Sequence, residues 1–151
     1  MIDGESISDE ILSMREESSD AVLRHAVERI HRAGASYDWV GIYMLDGDEL
    51  VLHNFIGEPT EHTRIPVGRG VCGTAVAERR DINVPDVDEL ENYLACSAGT
   101  RSEIVVLIRA GDDGRILGQI DIDSDTRAAF GPEDERELRK VADALGTILS
   151  A

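Results

Sequence analysis

Two cysteines and three carboxylates carry most of the chemistry open to this 151-residue chain. Cys96 lies in Tyr93-Leu94-Ala95-Cys96-Ser97, a polar stretch with little core for a thiol to fill, and Arg101 nearby would favour its thiolate. Cys72 follows Gly68-Arg69-Gly70-Val71 and leads into a predicted helix. Unpaired N–H groups and the positive end of the helix dipole favour a thiolate there, and an inert thiol packed among small residues is the equal alternative. The two cysteines are 24 residues apart and no C-x-x-C is present, so their spacing does not describe a zinc site.

Glu103 opens the apolar run Ile104-Val105-Val106-Leu107-Ile108. Asp121 and Asp123 close the next one, and their i, i+2 spacing puts both on one strand face. If the two runs pair as a hairpin, all three carboxylates meet at the same end of the sheet. Such a cluster is costly unless it holds a cation, a metal or a shared proton. Ordinary strand ends of an acidic protein are the plainer account. Trp39 and Tyr43, at i, i+4 on a strand, share a side as well and could wall an amine-binding box or simply pack under helices.

Other patterns are weaker. Gly68-Arg69-Gly70-Val71-Cys72-Gly73 fits G-x-G-x-x-G, but Pro66 interrupts the preceding segment and no βαβ unit follows. The glycines therefore read as a sharp turn into a helix, not a dinucleotide site. His25, His31, His53 and His62 show no ligand spacing, and no metal is assigned.

The elements that must position these side chains follow from periodicity. Residues 8–33 read as helix, with Ser18-Ser19-Asp20 as a possible break and second N-cap. Trp39–Leu45 and Glu49–Ile56 form a hairpin across Asp46-Gly47-Asp48. Gly57–Gly73 reads as loop, Thr74–Arg80 as a short helix and Asp81–Val87 as a brief strand. Asp88–Arg101 is polar and irregular. Glu103–Arg109 and Arg115–Ile122 make the second hairpin, and Gly131-Pro132 opens a final helix over 132–150. The expectation is one α+β domain over 1–151, with an N-terminal helical segment over 1–34. Its terminal helices should pack on one face of an antiparallel sheet and a loop-covered pocket on the other.

Charge narrows the partners. Against 15 Lys+Arg stand 31 Asp+Glu, for a formal net charge of −16, and Lys140 is the only lysine. That balance disfavours nucleic acid and anionic membranes and suits a halophilic surface. No apolar run is long enough for a membrane span, and the acidic Met1-Ile2-Asp3-Gly4-Glu5 does not read as a signal peptide. A cytoplasmic protein without a permanent disulfide is expected.

Several motifs together resemble the free methionine-(R)-sulfoxide reductases, a branch of the GAF domains. They are Trp39-Val40-Gly41-Ile42-Tyr43, the run from Arg64 to Ala75, Leu94-Ala95-Cys96, Ser102-Glu103-Ile104-Val105 and Asp121-Ile122-Asp123-Ser124. The resemblance implies a GAF-type fold, Cys96 as the nucleophile on the sulfoxide sulfur, and Glu103, Asp121 and Asp123 on the sulfoxide oxygen and the amino group. It makes Trp39 and Tyr43 the wall around the S-methyl end. It also implies a free methionine sulfoxide substrate, no bound cofactor and an external thioredoxin-like reductant, and it is compatible with a homodimer. Such a redox-active cysteine belongs to the chemistry of oxidative stress. The chain departs from the pattern at His62, where the family commonly has a third cysteine, at Ser97 in place of an aspartate and at Leu107 in place of a proline. Recycling through Cys72, recycling through an external thiol, and loss of turnover all stay open. The alternative function is a GAF module that binds a small amino compound or senses redox state without turnover.

Overall fold

Six serine- and acid-rich residues, 13–18, separate the first two helices. In the protein, a computed structural model describing residues 1–90 and 99–151, α1 (Gly4–Leu12) and α2 (Ser19–Ala33) are distinct. The break and second N-cap expected at Ser18-Ser19-Asp20 are present, while the first helix starts earlier than expected, at Gly4, and already ends at Leu12. Ser13 Oγ donates to the Glu10 carbonyl at 2.6 Å, a local bond that competes with continuing the helix. The Ser18 hydroxyl then accepts from the Ala21 N–H at 3.1 Å and caps α2. Glu10 ties the pair together, reaching His25 and Arg29 of α2 at 2.9 Å each.

The strands are β1 (Trp39–Asp46), β2 (Glu49–Ile56), β3 (Arg64–Pro66), β4 (Ile82–Val84), β5 (Ser102–Arg109) and β6 (Ile116–Ser124). They form one sheet in the order β3-β2-β1-β6-β5-β4, and every pairing is antiparallel. Both predicted hairpins are present. The loop expected over Gly57–Gly73 contains the short edge strand β3. The strand expected over Asp81–Val87 shrinks to β4, and a 3-10 turn follows at Val87–Glu89.

A period of two divides the sheet into two surfaces. Val40 and Ile42, Ile104, Val106 and Ile108, and Ile120 and Ile122 pack under α1, α2 and α4 (Pro132–Leu149) in the larger core. Trp39, Tyr43, Val105 and Leu107 face the opposite way, into a smaller core closed by α3 (Gly70–Glu78). This alternation fixes the site: with Ile104, Ile120 and Ile122 turned to the helices, Glu103, Asp121 and Asp123 turn to the α3 side.

Helix α3 begins four residues earlier than expected. The glycines that lower helix propensity over 68–73 hide its start in the sequence. Gly68 and Gly70 take φ values of 96° and 67°, which fold the chain sharply from β3 into the helix. Cys72 is consequently in the first turn of α3, not ahead of it.

Candidate active site

The middle of the sheet brings the predicted acids together. In the strand register Glu103 faces Asp123 across β5–β6, Asp123 faces Trp39 across β6–β1, and Asp121 lies between Gly41 and Val105. Glu103 and Asp123 are 1% exposed and Asp121 0%, so all three carboxyl groups are withdrawn from water. Glu103 shares hydrogen bonds with both aspartates. Burial first, then the charges of Asp121 and Asp123, hold the Glu103 carboxyl well above the usual carboxylate range. That shift favours the protonated form, from which a carboxyl can donate.

The first turn of α3 delivers a thiol to this group. Cys72 Sγ approaches Glu103 Oε2 at 3.8 Å, and single ligating atoms of Cys72, Glu103 and Asp121 all lie within 4.8 Å of one another. Atoms this close can share one cation or one proton. Thr100 Oγ1 donates to Asp123 Oδ2 at 3.3 Å.

Trp39 forms the adjoining wall. A side chain at Gly41 would place its Cβ 2.4 Å from the Trp39 ring, so the absence of one lets the indole lie along β1. The ring stacks on Phe55 at 5.5 Å, and its N–H donates to the Glu58 carbonyl at 3.0 Å. Beside it opens a cavity of about 220 Å³ lined by Asp38, Trp39, Glu58, Gly99, Asp123 and Asp125. Four carboxylates and an aromatic face make an entrance that attracts an ammonium group. Tyr43 faces the same side but stands opposite Gln119, farther along the strands, and its hydroxyl donates to the His62 carbonyl at 2.7 Å. The aromatic pair thus fastens the two ends of the β2–β3 connection.

A larger cavity, about 310 Å³, opens among Met1, Asp3, Ile7, Arg29, Arg32 and Ala33. It contains no nucleophile, and Glu10 neutralises Arg29, so the chemistry and not the volume marks the site. Cys96 lies outside the described residues. Sequence reading passed over Gln119, a buried amide on the same sheet face whose Nε2 donates to the Cys72 carbonyl at 3.0 Å. A lone glutamine in an apolar strand was the available signal.

The family model for the GAF domain matches residues 18–149. The free methionine-R-sulfoxide reductase of Escherichia coli is 38% identical over 130 residues, which cover 86% of this chain and 77% of that protein. The structure of a type II free methionine-R-sulfoxide reductase from Thermoplasma acidophilum superposes with a TM-score of 0.83 at 39% identity, covering 89% of this chain and 94% of that one. The free methionine-R-sulfoxide reductase of Neisseria meningitidis in complex with its substrate gives 0.82 at 37% identity, covering 95% and 86%.

Proposed function

Because the chain belongs to the GAF domain family and, within it, to the free methionine-R-sulfoxide reductases, we propose that it reduces free methionine-(R)-sulfoxide to methionine with Cys96 as the attacking thiolate. The observation that carries this reading is the buried triad of Glu103, Asp121 and Asp123, with Glu103 shifted toward its protonated form and a thiol 3.8 Å away. Such a proton donor suits a leaving oxygen.

The steps balance without a cofactor. The Cys96 thiolate attacks the sulfoxide sulfur, and Glu103 gives its proton to the departing oxygen. The substrate sulfur gains the two electrons that the Cys96 sulfur loses, and the oxygen ends as the hydroxyl of a Cys96 sulfenic acid. Asp121, Asp123 and the acidic entrance hold the amino group, while Trp39 and Tyr43 wall the S-methyl end.

Recycling falls to Cys72. Its thiol passes a proton to the emptied Glu103 carboxylate and attacks the Cys96 sulfur. The hydroxide leaves as water with that same proton, and a Cys72–Cys96 disulfide remains. A thioredoxin-like dithiol in the cytoplasm reopens the bridge, becoming a disulfide itself and returning both protein sulfurs to the reduced state. Glu103 regains its proton from the Cys96 thiol.

The test is methionine release from each sulfoxide epimer with thioredoxin or dithiothreitol, at low and at molar salt. Turnover of the R epimer alone supports the proposal. Absence of methionine from either epimer under all conditions overturns it and leaves a ligand-binding GAF module.

A further inference from the structure

Gln119 interrupts an otherwise apolar stretch of the α3 side of the sheet. Its cross-strand neighbours are Tyr43 and Leu107, and all three are 0% exposed. Among the described residues the Gln119 amide makes one bond, from Nε2 to the Cys72 carbonyl at 3.0 Å. Its Oε1 is buried and finds no partner among the described residues. A methionine would fill nearly the same space without desolvating an amide, so glutamine is here a destabilising choice.

That choice fixes a location. Helix α3 has nine residues and no side-chain cap at its start, so little within the helix holds its first turn in place. From the loop side, the Gly68 N–H donates to the Gly73 carbonyl at 2.8 Å. From the sheet side, Gln119 grips the carbonyl of the preceding residue, Cys72. The Cys72 thiol belongs to that same residue and reaches 3.8 Å from Glu103. We infer that Gln119 is a positioning residue, whose amide pins the first turn of α3 to β6 and so sets the approach of the Cys72 thiol to Glu103. Only the expected effect on turnover rests on the resolving role proposed for Cys72. The effect on the thiol itself does not.

The test compares Gln119→Met, which keeps the volume and loses the donor, with Gln119→Asn, which keeps the amide and loses the reach. Three quantities are read for each: Tm, the rate at which iodoacetamide labels the Cys72 peptide in mass spectra, and the split between first and steady-state turnover. The inference expects Tm to hold or rise in Gln119→Met, because a buried amide with an unpaired oxygen has been removed. It expects Cys72 labelling to quicken roughly fivefold or more in both variants as the first turn opens. Steady-state methionine production should fall roughly tenfold, while the first equivalent forms at the wild-type rate. Labelling that quickens with steady-state turnover unchanged keeps the positioning role and instead removes Cys72 as the resolving thiol. Labelling at the wild-type rate in a folded variant, or a marked loss of Tm in both, overturns the inference and makes Gln119 an ordinary core residue.

Discussion

Glu103 and Asp123 face each other across the β5–β6 ladder with almost no exposure to water. Removing their charge conflict should therefore stabilise the fold while damaging the chemistry. The raised Glu103 pKa means that the folded state holds a proton the unfolded chain releases. Stability from this group is full below the ordinary glutamate value of 4.5 and is lost as pH rises toward the higher folded value. Glu103→Gln should be more stable than wild type at neutral pH by about 1–3 kcal/mol and lose less stability between acid and neutral pH. The rate of the first turnover should fall by about 10²–10⁴-fold, since the amide cannot donate an acid proton. Thermal melts across pH and rapid-quench methionine assays check the two halves. A variant with wild-type rate removes Glu103 as the acid.

The proposed role of Tyr43 is to support the wall through its hydroxyl, not to touch the reacting atoms. Tyr43→Phe loses the 2.7 Å bond to the His62 carbonyl, which should cost about 1 kcal/mol. KM should rise as the connection bearing His62 loosens, with kcat within about twofold of wild type. Steady-state kinetics decide this. An unchanged KM with a collapsed kcat would move Tyr43 into the chemical step.

Salt should stabilise the protein. Several surface arginines are already paired, as in Arg24–Asp20 and Arg64–Glu49, yet acids outnumber Lys+Arg by 31 to 15. The excess negative charge repels itself at low ionic strength and is screened within roughly 3 Å at 1 M salt. Thermal melts from dilute buffer to molar KCl should climb by several degrees or more. A flat or falling curve removes the halophilic reading.

After one turnover without reductant, Cys72 should be found bonded to Cys96. A bridge needs Cα atoms within roughly 7 Å, and His62 leaves no third thiol to compete. Mass spectrometry of the oxidised protein reads the linkage directly. A lasting Cys96 sulfenic acid, or a mixed disulfide with added thiol alone, means that recycling is external.

Much of this was readable from residue types. The i, i+2 aspartates and the hairpin around Gly111–Gly114 brought Glu103, Asp121 and Asp123 to one strand end, because alternation in a strand leaves no other choice of face. The hairpins of β1–β2 and β5–β6 followed from their turns. Tertiary context decided the rest. The helix start at Gly70 depends on packing of Val71, Ala75 and Val76 under the sheet, which offsets poor propensity. The break at residues 13–18 depends on a serine hydroxyl finding a nearby carbonyl. Gln119 stands out only as a lone polar residue in an apolar strand, and its partner could not be named because a backbone carbonyl 47 residues away has no sequence signature.

The most direct test of the account counts methionine formed per protein in a single mixing with methionine-(R)-sulfoxide and no reductant. Wild type and Cys72→Ser should each release one equivalent, and Cys96→Ser should release none while still binding substrate through the acids and Trp39. One equivalent from Cys96→Ser, or none from wild type, would contradict the assignment of Cys96 as the thiolate that takes the oxygen.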